Sequence, residues 1–243
     1  MTTSRILWGI GIVVAGIFLL WGYKYSPRKI EFSGHYKKIG AHRVNSLDKL
    51  KKSLSNFDAI ELDLVFDPET NVLDVHHPTA PSTGLTFTRY IAALGDKQPF
   101  MWLDIKNLDK SNAELILQKL NSVFLEKNYP KQNVLIETRF PEKLGLFTKA
   151  GYKTSYYLKQ DLYKLKQTDL HTELEQIKTI LETQPKVGIS TEHFDYEILK
   201  EYFPETTKYI WCIRHSKIGD YTLVRSMLKD ETVALVLVTY HPL

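Results

Sequence analysis

The sequence of 243 residues has a single cysteine, Cys212. One cysteine forms no intramolecular disulfide and cannot supply the several thiolates of a structural zinc site. Small disulfide-stapled folds and zinc fingers are therefore excluded. With 43% hydrophobic and 25% charged residues, the chain has the composition of an ordinary globular protein. Its length fits one large domain that a hydrophobic core must stabilise.

The chain also lacks an excess of charge in its main part. It has 32 Lys and Arg against 28 Asp and Glu. Four of the basic residues, Arg5, Lys24, Arg28 and Lys29, precede Ile30 without any acidic residue among them, which leaves 28 of each sign beyond that point. A nucleic-acid-binding domain needs a basic face on its folded part. The balance therefore argues against nucleic acid as a partner.

Charge is absent altogether between residues 6 and 23. A helix of about 18 residues is roughly 27 Å long, close to the thickness of a bilayer core. Trp8, Trp21 and Tyr23 fall where interfacial aromatic residues belong. A cleavable signal peptide has a shorter apolar core and small residues before the cut. The sequence thus predicts an uncleaved transmembrane helix, with residues 1–29 as anchor and basic flank and residues 30–243 as the folded domain.

The orientation of this predicted anchor depends on two opposing signals. Three cations after the span favour a domain that stays inside. A lone N-terminal span with a short basic head is typical of a signal anchor, which exports the domain after it. We expect a single-pass membrane protein with an extracytoplasmic domain. The oligomeric state is not indicated by the sequence.

Strand-like and helix-like patterns alternate through the domain. Strands are predicted at 37–43, 59–66, 100–106, 133–139, 153–158, 187–192, 209–215 and 233–240. Helices are predicted at 46–54, 85–94, 113–126, 141–150, 170–182, 196–202 and 221–228. This count and alternation predict an α/β fold, a (β/α)8 TIM-type barrel, with an open doubly wound sheet as the alternative.

Polar residues gather where these strands end, which is the catalytic end of such a barrel. Residues two apart on a strand share a face, so Glu61 and Asp63 point the same way, as do Asp104 and Lys106. Further polar residues in comparable positions are His42 with Arg43 at the end of the first strand and His76 with His77 after a short extended piece at 72–75. Glu137 on the fourth strand and Trp211 on the seventh are candidates for a site wall.

Three carboxylates at one barrel mouth, Glu61, Asp63 and Asp104, repel one another unless a cation lies between them. Hard oxygen ligands select Mg²⁺ or Ca²⁺ over zinc. Two histidines beside such an ion could act as base and acid around a phosphoryl group whose charge the metal and the cations Arg43 and Lys106 would absorb. The alternative is that each carboxylate pairs with a nearby Lys or Arg on a solvated rim.

The residues of these motifs resemble those of the phospholipase-C-like phosphodiesterase superfamily. That group includes the glycerophosphodiester phosphodiesterases, the spider-venom sphingomyelinase D enzymes and the menorin family. Of these, the menorin motifs resemble the motifs of this sequence most. The resemblance covers residues 39–107, in the runs His42-Arg43-Val44-Asn45-Ser46, Ala59-Ile60-Glu61-Leu62-Asp63-Leu64, His76-His77-Pro78 and Trp102-Leu103-Asp104-Ile105-Lys106-Asn107.

This resemblance implies a metal-dependent phosphodiesterase acting on a phospholipid headgroup or a glycerophosphodiester-like substrate. It implies Glu61, Asp63 and Asp104 as metal ligands, with Lys106 as a support near the metal or the phosphate. His42 and either His76 or His77 would form the acid–base pair. The spacing from Glu61 favours His76, as in the glycerophosphodiesterases, and Pro78 favours His77, as in menorin; the spacing decides our preference for His76. A substrate hydroxyl next to the phosphate is thought to attack first in this superfamily.

Departures from the family pattern keep a second function open. Val44 stands where the phosphodiesterases have glycine, and Asp104 stands for their third-strand glutamate. These differences weaken the case for glycerophosphodiesters as substrates. A catalytically silent barrel that binds a lipid, glycan or protein partner is therefore the rival interpretation.

Overall fold

The fold is taken from a computed structural model of the chain, which describes residues 3–212 and 221–241. Eight parallel strands close into a barrel, in the order β1-β2-β4-β5-β6-β7-β8-β9 with β9 pairing back onto β1. The strands are β1 (Ile39–His42), β2 (Ala59–Asp67), β3 (Val72–Val75), β4 (Phe100–Ile105), β5 (Val134–Thr138), β6 (Lys153–Tyr157), β7 (Gly188–Glu192), β8 (Lys208–Cys212) and β9 (Val233–Thr239). The predicted barrel is confirmed, and the open sheet is excluded.

One helix precedes the barrel and the others lie between its strands, as the alternating pattern predicts. They are α1 (Thr3–Tyr25), α2 (Leu47–Ser53), α3 (Phe87–Ala92), α4 (Ala113–Glu126), α5 (Leu144–Lys149), α6 (Gln167–Thr183), α7 (Tyr196–Tyr202) and α8 (Tyr221–Lys229). Two of them begin at side-chain caps. Ser46 accepts a hydrogen bond from the backbone N–H of Lys49 at 3.2 Å, and Thr86 accepts one from that of Arg89 at 3.3 Å. Such caps satisfy backbone donors that a helix start leaves without a partner.

Alternation along each strand divides the core into two layers. On β2, Ile60, Leu62 and Leu64 belong to the large cluster that also contains buried helix residues such as Leu50 of α2. The residues of opposite parity point into the barrel. Their apolar members form a separate buried cluster made of Ala59, Trp102, Leu135, Tyr209, Trp211, Leu235 and Leu237. The same inward parity holds Glu61 and Asp63, so these carboxylates continue the inner layer toward the barrel mouth.

One strand departs from the parallel order, and it positions the histidine pair. β3 runs antiparallel to β2, with Val75 opposite Leu64 and Val72 opposite Asp67. The end of β2 therefore extends beyond the barrel, turns, and returns along itself. Because Val75 lies beside Leu64, His76 and His77 follow at the level of Asp63, at the mouth of the barrel.

Two of the sequence predictions concern segments that the structure describes only in part. The strand predicted at 209–215 runs as β8 to Cys212, and residues 213–220 lie outside the described part of the chain. The anchor predicted at 6–23 falls on α1, of which the side chains at 3–7, 9, 19–21, 24 and 25 also lie outside it. Among the residues described, no helix is long and apolar enough to cross a bilayer. The predicted transmembrane helix is therefore not supported by the structure.

Candidate active site

Three buried carboxylates converge at the barrel mouth. Glu61 and Asp63 lie on the inner face of β2, and Asp104 on β4 is the register partner of Asp63. One oxygen from each of the three lies within 4.8 Å of the others. The parallel register explains this meeting, because equivalent inward positions of neighbouring strands are about 4.8 Å apart. The three predicted metal ligands are thus brought together.

Lys106 is the cation among these carboxylates. Its Nζ lies 2.8 Å from Asp63 Oδ1 and donates a short hydrogen bond to Asp104 Oδ2. Burial disfavours the charged form of Lys106, yet the two carboxylates outweigh that effect and raise its pKa. Asn45 also fixes Asp63, because its Nδ2 donates to Asp63 Oδ2 at 2.6 Å and its Oδ1 accepts from Asp63 N–H at 2.9 Å.

The three carboxylates differ in how far neighbouring groups offset the effect of burial on their pKa values. Burial raises the pKa of Glu61 well above its usual range, and Asp63 and Asp104 raise it further. Burial also raises the pKa of Asp104, although Lys106 opposes it. For Asp63 the burial effect is outweighed by Lys106 and Asn45, so its pKa is lowered. One ammonium against three carboxylates leaves two negative charges when all three are ionised.

That surplus fits a divalent cation. Carboxylate oxygens are the hard ligands that Mg²⁺ and Ca²⁺ prefer, and the three ligand oxygens are close enough to share one ion. Glu61, Asp63 and Asp104 are the residues that could hold it. Lys106 already bridges two of them and would remain as a neighbouring positive charge.

His42 ends β1 beside Glu61. Its Nε2 lies 3.6 Å from Glu61 Oε2, and Lys49 Nζ donates to its carbonyl oxygen at 2.8 Å. Burial, followed by the nearby Arg43, lowers the pKa of His42 to about 3. The imidazole is therefore neutral at physiological pH and can accept a proton.

Arg43 comes next with a left-handed backbone, φ +53°, which non-glycine residues seldom adopt. The N–H of Arg43 donates to Glu61 Oε2 at 2.5 Å. The next N–H, of Val44, donates to the carbonyl oxygen of Glu61 at 2.7 Å. Left-handed residues of this kind concentrate at functional sites, and here the conformation ties the loop after β1 to a candidate metal ligand.

The side chains of His76 and His77 point to opposite sides, as those of adjacent residues in an extended segment do. His77 lines the pocket at the barrel mouth. Its Nδ1 lies 2.7 Å from Thr79 Oγ1 and accepts the N–H of Thr79 at 3.2 Å, so Nε2 is the ring nitrogen left for the pocket. Burial lowers the pKa of His77.

His76 is instead paired with Asp74, whose Oδ2 lies 3.2 Å from His76 Nδ1, and it is not among the pocket-lining residues. Our preference for His76 from its spacing to Glu61 is therefore corrected: His77 is the member of the pair at the pocket. The spacing misled because it counts residues and ignores the β2–β3 hairpin, whose pairing decides which of the two faces inward.

The pocket at the barrel mouth has a volume of about 450 Å³. Its described lining includes the predicted residues His42, Arg43, Glu61, His77, Asp104, Lys106, Glu137 and Trp211. Glu137 lies buried on β5, where its Oε2 accepts the Trp102 indole N–H at 2.9 Å and its Oε1 accepts a short hydrogen bond from Ser190. Burial, followed by Asp104, raises the pKa of Glu137 to about 8.

Seven further lining residues were missed as site residues, of which Pro78, Trp102, Ile105 and Leu237 complete the walls and three present polar groups. These three are Arg139, which comes directly after β5, Tyr157 at the end of β6, and Gln160 just beyond it. Arg139 lies over the Tyr157 ring at 4.1 Å from its centroid. A signal for Arg139 existed in the sequence, since it shares a face with Glu137 at the end of a predicted strand. No equivalent signal marks Tyr157 or Gln160, because neither belongs to a recognisable motif.

Solved structures with this fold include enzymes of phosphodiester chemistry. A glycerophosphodiester phosphodiesterase from Thermotoga maritima superposes with a TM-score of 0.58 at 14% identity, over 84% of this chain and 95% of that one. A phosphodiesterase from Oleispira antarctica, solved with the product sn-glycerol-3-phosphate, gives 0.57 at 13% identity, over 84% and 93%. D-psicose 3-epimerase also matches, with 0.52 at 8% identity, over 84% and 85%. These likenesses concern the fold.

No protein-family model matches the chain, and no curated protein is similar to it in sequence. The chemistry must therefore be argued from the residues of the mouth.

Proposed function

We propose that this protein is a divalent-metal-dependent phosphodiesterase. The observation that carries the proposal is the meeting, at the barrel mouth, of three buried carboxylates, Lys106 and two histidines. A barrel that only bound a neutral ligand would have no need to keep several buried like charges, which are costly. The phosphodiesterases that share the fold are consistent with the proposal.

Glu61, Asp63 and Asp104 would hold the ion, as Mg²⁺ or Ca²⁺. When bound, it would neutralise the charge that develops on the phosphoryl oxygens. Arg43 and Lys106 add positive charge on either side of the same place. Asn45 and the N–H of Arg43 act by holding the carboxylates in position.

His42 and His77 would form the acid–base pair. Neutral His42 accepts a proton from the attacking hydroxyl, which is either a substrate hydroxyl beside the phosphate or water. His77 would act as the acid in its protonated form, in which Nδ1–H donates to Thr79 Oγ1 and the proton on Nε2 is released to the leaving oxygen. A phosphate anion in the pocket raises the pKa of both imidazoles and so opposes the lowering that burial causes.

The substrate class proposed is a phosphodiester of the glycerophosphodiester or phospholipid-headgroup kind. It is supported by the pocket's size, which falls in the range of small-molecule sites, and by the charge at its base. The rival, a silent barrel, predicts ligand binding without turnover.

A turnover assay with and without chelator separates these functions. The full-length protein is incubated with glycerophosphodiesters, lysophospholipids and sphingomyelin, and product is measured before and after metal removal and after adding back Mg²⁺ or Ca²⁺. We expect turnover of at least one substrate, loss of it with chelator, and recovery with metal. Turnover that is indifferent to chelator excludes the metal mechanism, and no turnover across the panel leaves the silent barrel.

The location of the barrel is a separate proposal that rests on sequence alone. The uncharged run at 6–23 supports attachment to a membrane, with the barrel outside the cytoplasm. Exposed apolar side chains on α1, such as Trp8, Ile12 and Phe18, are compatible with it. Fractionation of the full-length protein tests the idea, because release from the membrane fraction by high salt alone would contradict a spanning anchor.

A further inference from the structure

The wall of the pocket across from His42 contains an aromatic pair with a cation already on it. In the barrel order, β6 lies opposite β1, so Tyr157 at the end of β6 faces the histidine side. The rings of Tyr157 and Trp211 meet edge to face, with centroids 5.0 Å apart. An aromatic pair at the mouth of a phosphodiesterase pocket would suit a quaternary ammonium headgroup, because such cations bind aromatic faces.

In this protein the side chain of Arg139 occupies the face of the Tyr157 ring. The Arg139 guanidinium carbon lies 4.1 Å from the centroid of that ring, well within the range of a cation–π contact. Gln160 Nε2 donates to the Tyr157 hydroxyl at 2.9 Å. The guanidinium thus lies on an aromatic ring whose hydroxyl is itself held by a neighbouring side chain.

The charge of Arg139 is not cancelled locally. Within the described part of the chain it makes no ion pair with a carboxylate. Asp104, the carboxylate of the metal cluster that it influences, is engaged by Lys106. Glu137 lies deeper, with both of its oxygens accepting hydrogen bonds from Trp102 and Ser190. A headgroup that reaches this wall therefore meets a positive charge with free donor capacity.

We infer that Arg139, held on Tyr157, selects phosphodiesters whose headgroup is a polyol or an anion and rejects those with a quaternary ammonium group. The inference rests on the proposed function and names the substrate class of that same pocket. A polyol hydroxyl or a carboxylate can accept the planar N–H donors of arginine. A choline group would be placed beside a like charge and denied the aromatic face.

The test compares two substrates that share the phosphate and differ in the headgroup. Glycerophosphoglycerol and glycerophosphocholine are titrated against the full-length protein with Ca²⁺ present, and both the dissociation constant and kcat/KM are measured. We expect the wild type to favour the glycerol headgroup by about tenfold. In Arg139→Ala we expect the ratio to approach one, mainly through improvement for choline, since the Tyr157 face becomes free.

Arg89→Ala is the matched control, because Arg89 is an exposed arginine on α3 outside the pocket. It should leave the ratio unchanged. A wild type that favours choline or does not discriminate overturns the inference, as does an unchanged ratio in Arg139→Ala. If neither substrate is turned over, the proposed function fails for this class, and the ratio of the two dissociation constants still decides the inference.

Discussion

The two sides of the barrel mouth are built differently. On the side of β1, β2 and β4, charged groups are packed against each other: the three carboxylates, Lys106 and His42. On the side of β5, β6 and β8, the wall is made of Tyr157, Trp211 and the buried Glu137, with Arg139 above them. In the function proposed above, the first side would hold the metal ion and move protons, and the second would contact the part of a substrate that does not react.

The two sides also differ in where their side chains lie in the fold. The charged side is fixed by strand register and by hydrogen bonds from backbone groups, such as the N–H of Arg43 to Glu61. The far wall uses side chains near strand ends and in the loops after them. In barrels, loops at this end set specificity while the strands carry the chemistry. We therefore expect substitutions on the first side to affect rate and those on the second to affect selectivity or stability.

The largest effect is expected from the histidines. His42→Ala and His77→Ala should each reduce turnover by about 10²–10⁴-fold, the range for loss of an acid or base, while His76→Ala should change it little. The matched comparison is His76 against His77, because both are adjacent in sequence and only one lines the pocket. The measurement is kcat with the best substrate. A loss in His76→Ala equal to that in His77→Ala would contradict the placement.

A pH profile of the wild type adds to this test. The pKa of His42 is lowered to about 3 and that of His77 is also lowered. A neutral base is then retained as the pH falls below 6.5, and is lost only as His42 becomes protonated. Turnover should thus persist into mildly acidic solution and fall as the pH rises through the pKa of His77, which must be protonated to act as the acid. An acid limb above pH 7 would point to another group as the base.

A smaller and partly reversible effect is expected from Asp104→Asn. The amide keeps the size of the side chain but removes one charge, so metal affinity should fall by at least about tenfold. Raising Mg²⁺ or Ca²⁺ should recover part of the activity. Metal titration of turnover measures this, with Asp48→Asn on the exposed face of α2 as control. Loss that no metal concentration relieves would assign Asp104 a role other than ligand.

The smallest effect is expected from Glu137, the buried carboxylate of the far wall. Its pKa is raised from 4.5 to about 8. Between these values the folded state holds a proton that the unfolded state has lost, so this contribution to stability is complete below pH 4.5 and disappears as the pH rises through 8. The metal-free protein should lose about 1 kcal/mol between pH 7 and 9 through this group.

Glu137→Gln should remove that part of the pH dependence. The amide can accept from Trp102 and donate to Ser190, whose hydroxyl also lies 3.3 Å from the Tyr156 carbonyl oxygen. Urea unfolding at several pH values with chelator measures the difference, and Glu142→Gln, an exposed neighbour, is the control. Parallel curves for wild type and Glu137→Gln would mean that Glu137 is ionised in the folded state at pH 7.

Much of the charged side could be predicted from the sequence. Glu61 with Asp63 and Asp104 with Lys106 lie two residues apart on strands, and alternation alone puts each pair on one face. The far wall was only partly predicted. Glu137 and Trp211 follow from strand parity, but Tyr157 and Gln160 carry no local pattern, since their place in the pocket depends on how β6 lies opposite β1.

Local patterns in the chain were enough to predict the alternating strands and helices and the shared face of the carboxylates on a strand, because these depend on periodicities of two and 3.6 residues. The tertiary structure decided that the sheet closes into a barrel, through the pairing of β9 with β1. The tertiary structure decided which histidine faces the pocket, because that depends on the antiparallel pairing of β3 with β2. It also decided that Arg139 occupies the face of Tyr157. These contacts join residues that are far apart in the chain or are brought together by a turn. No local pattern encodes which side chains then meet.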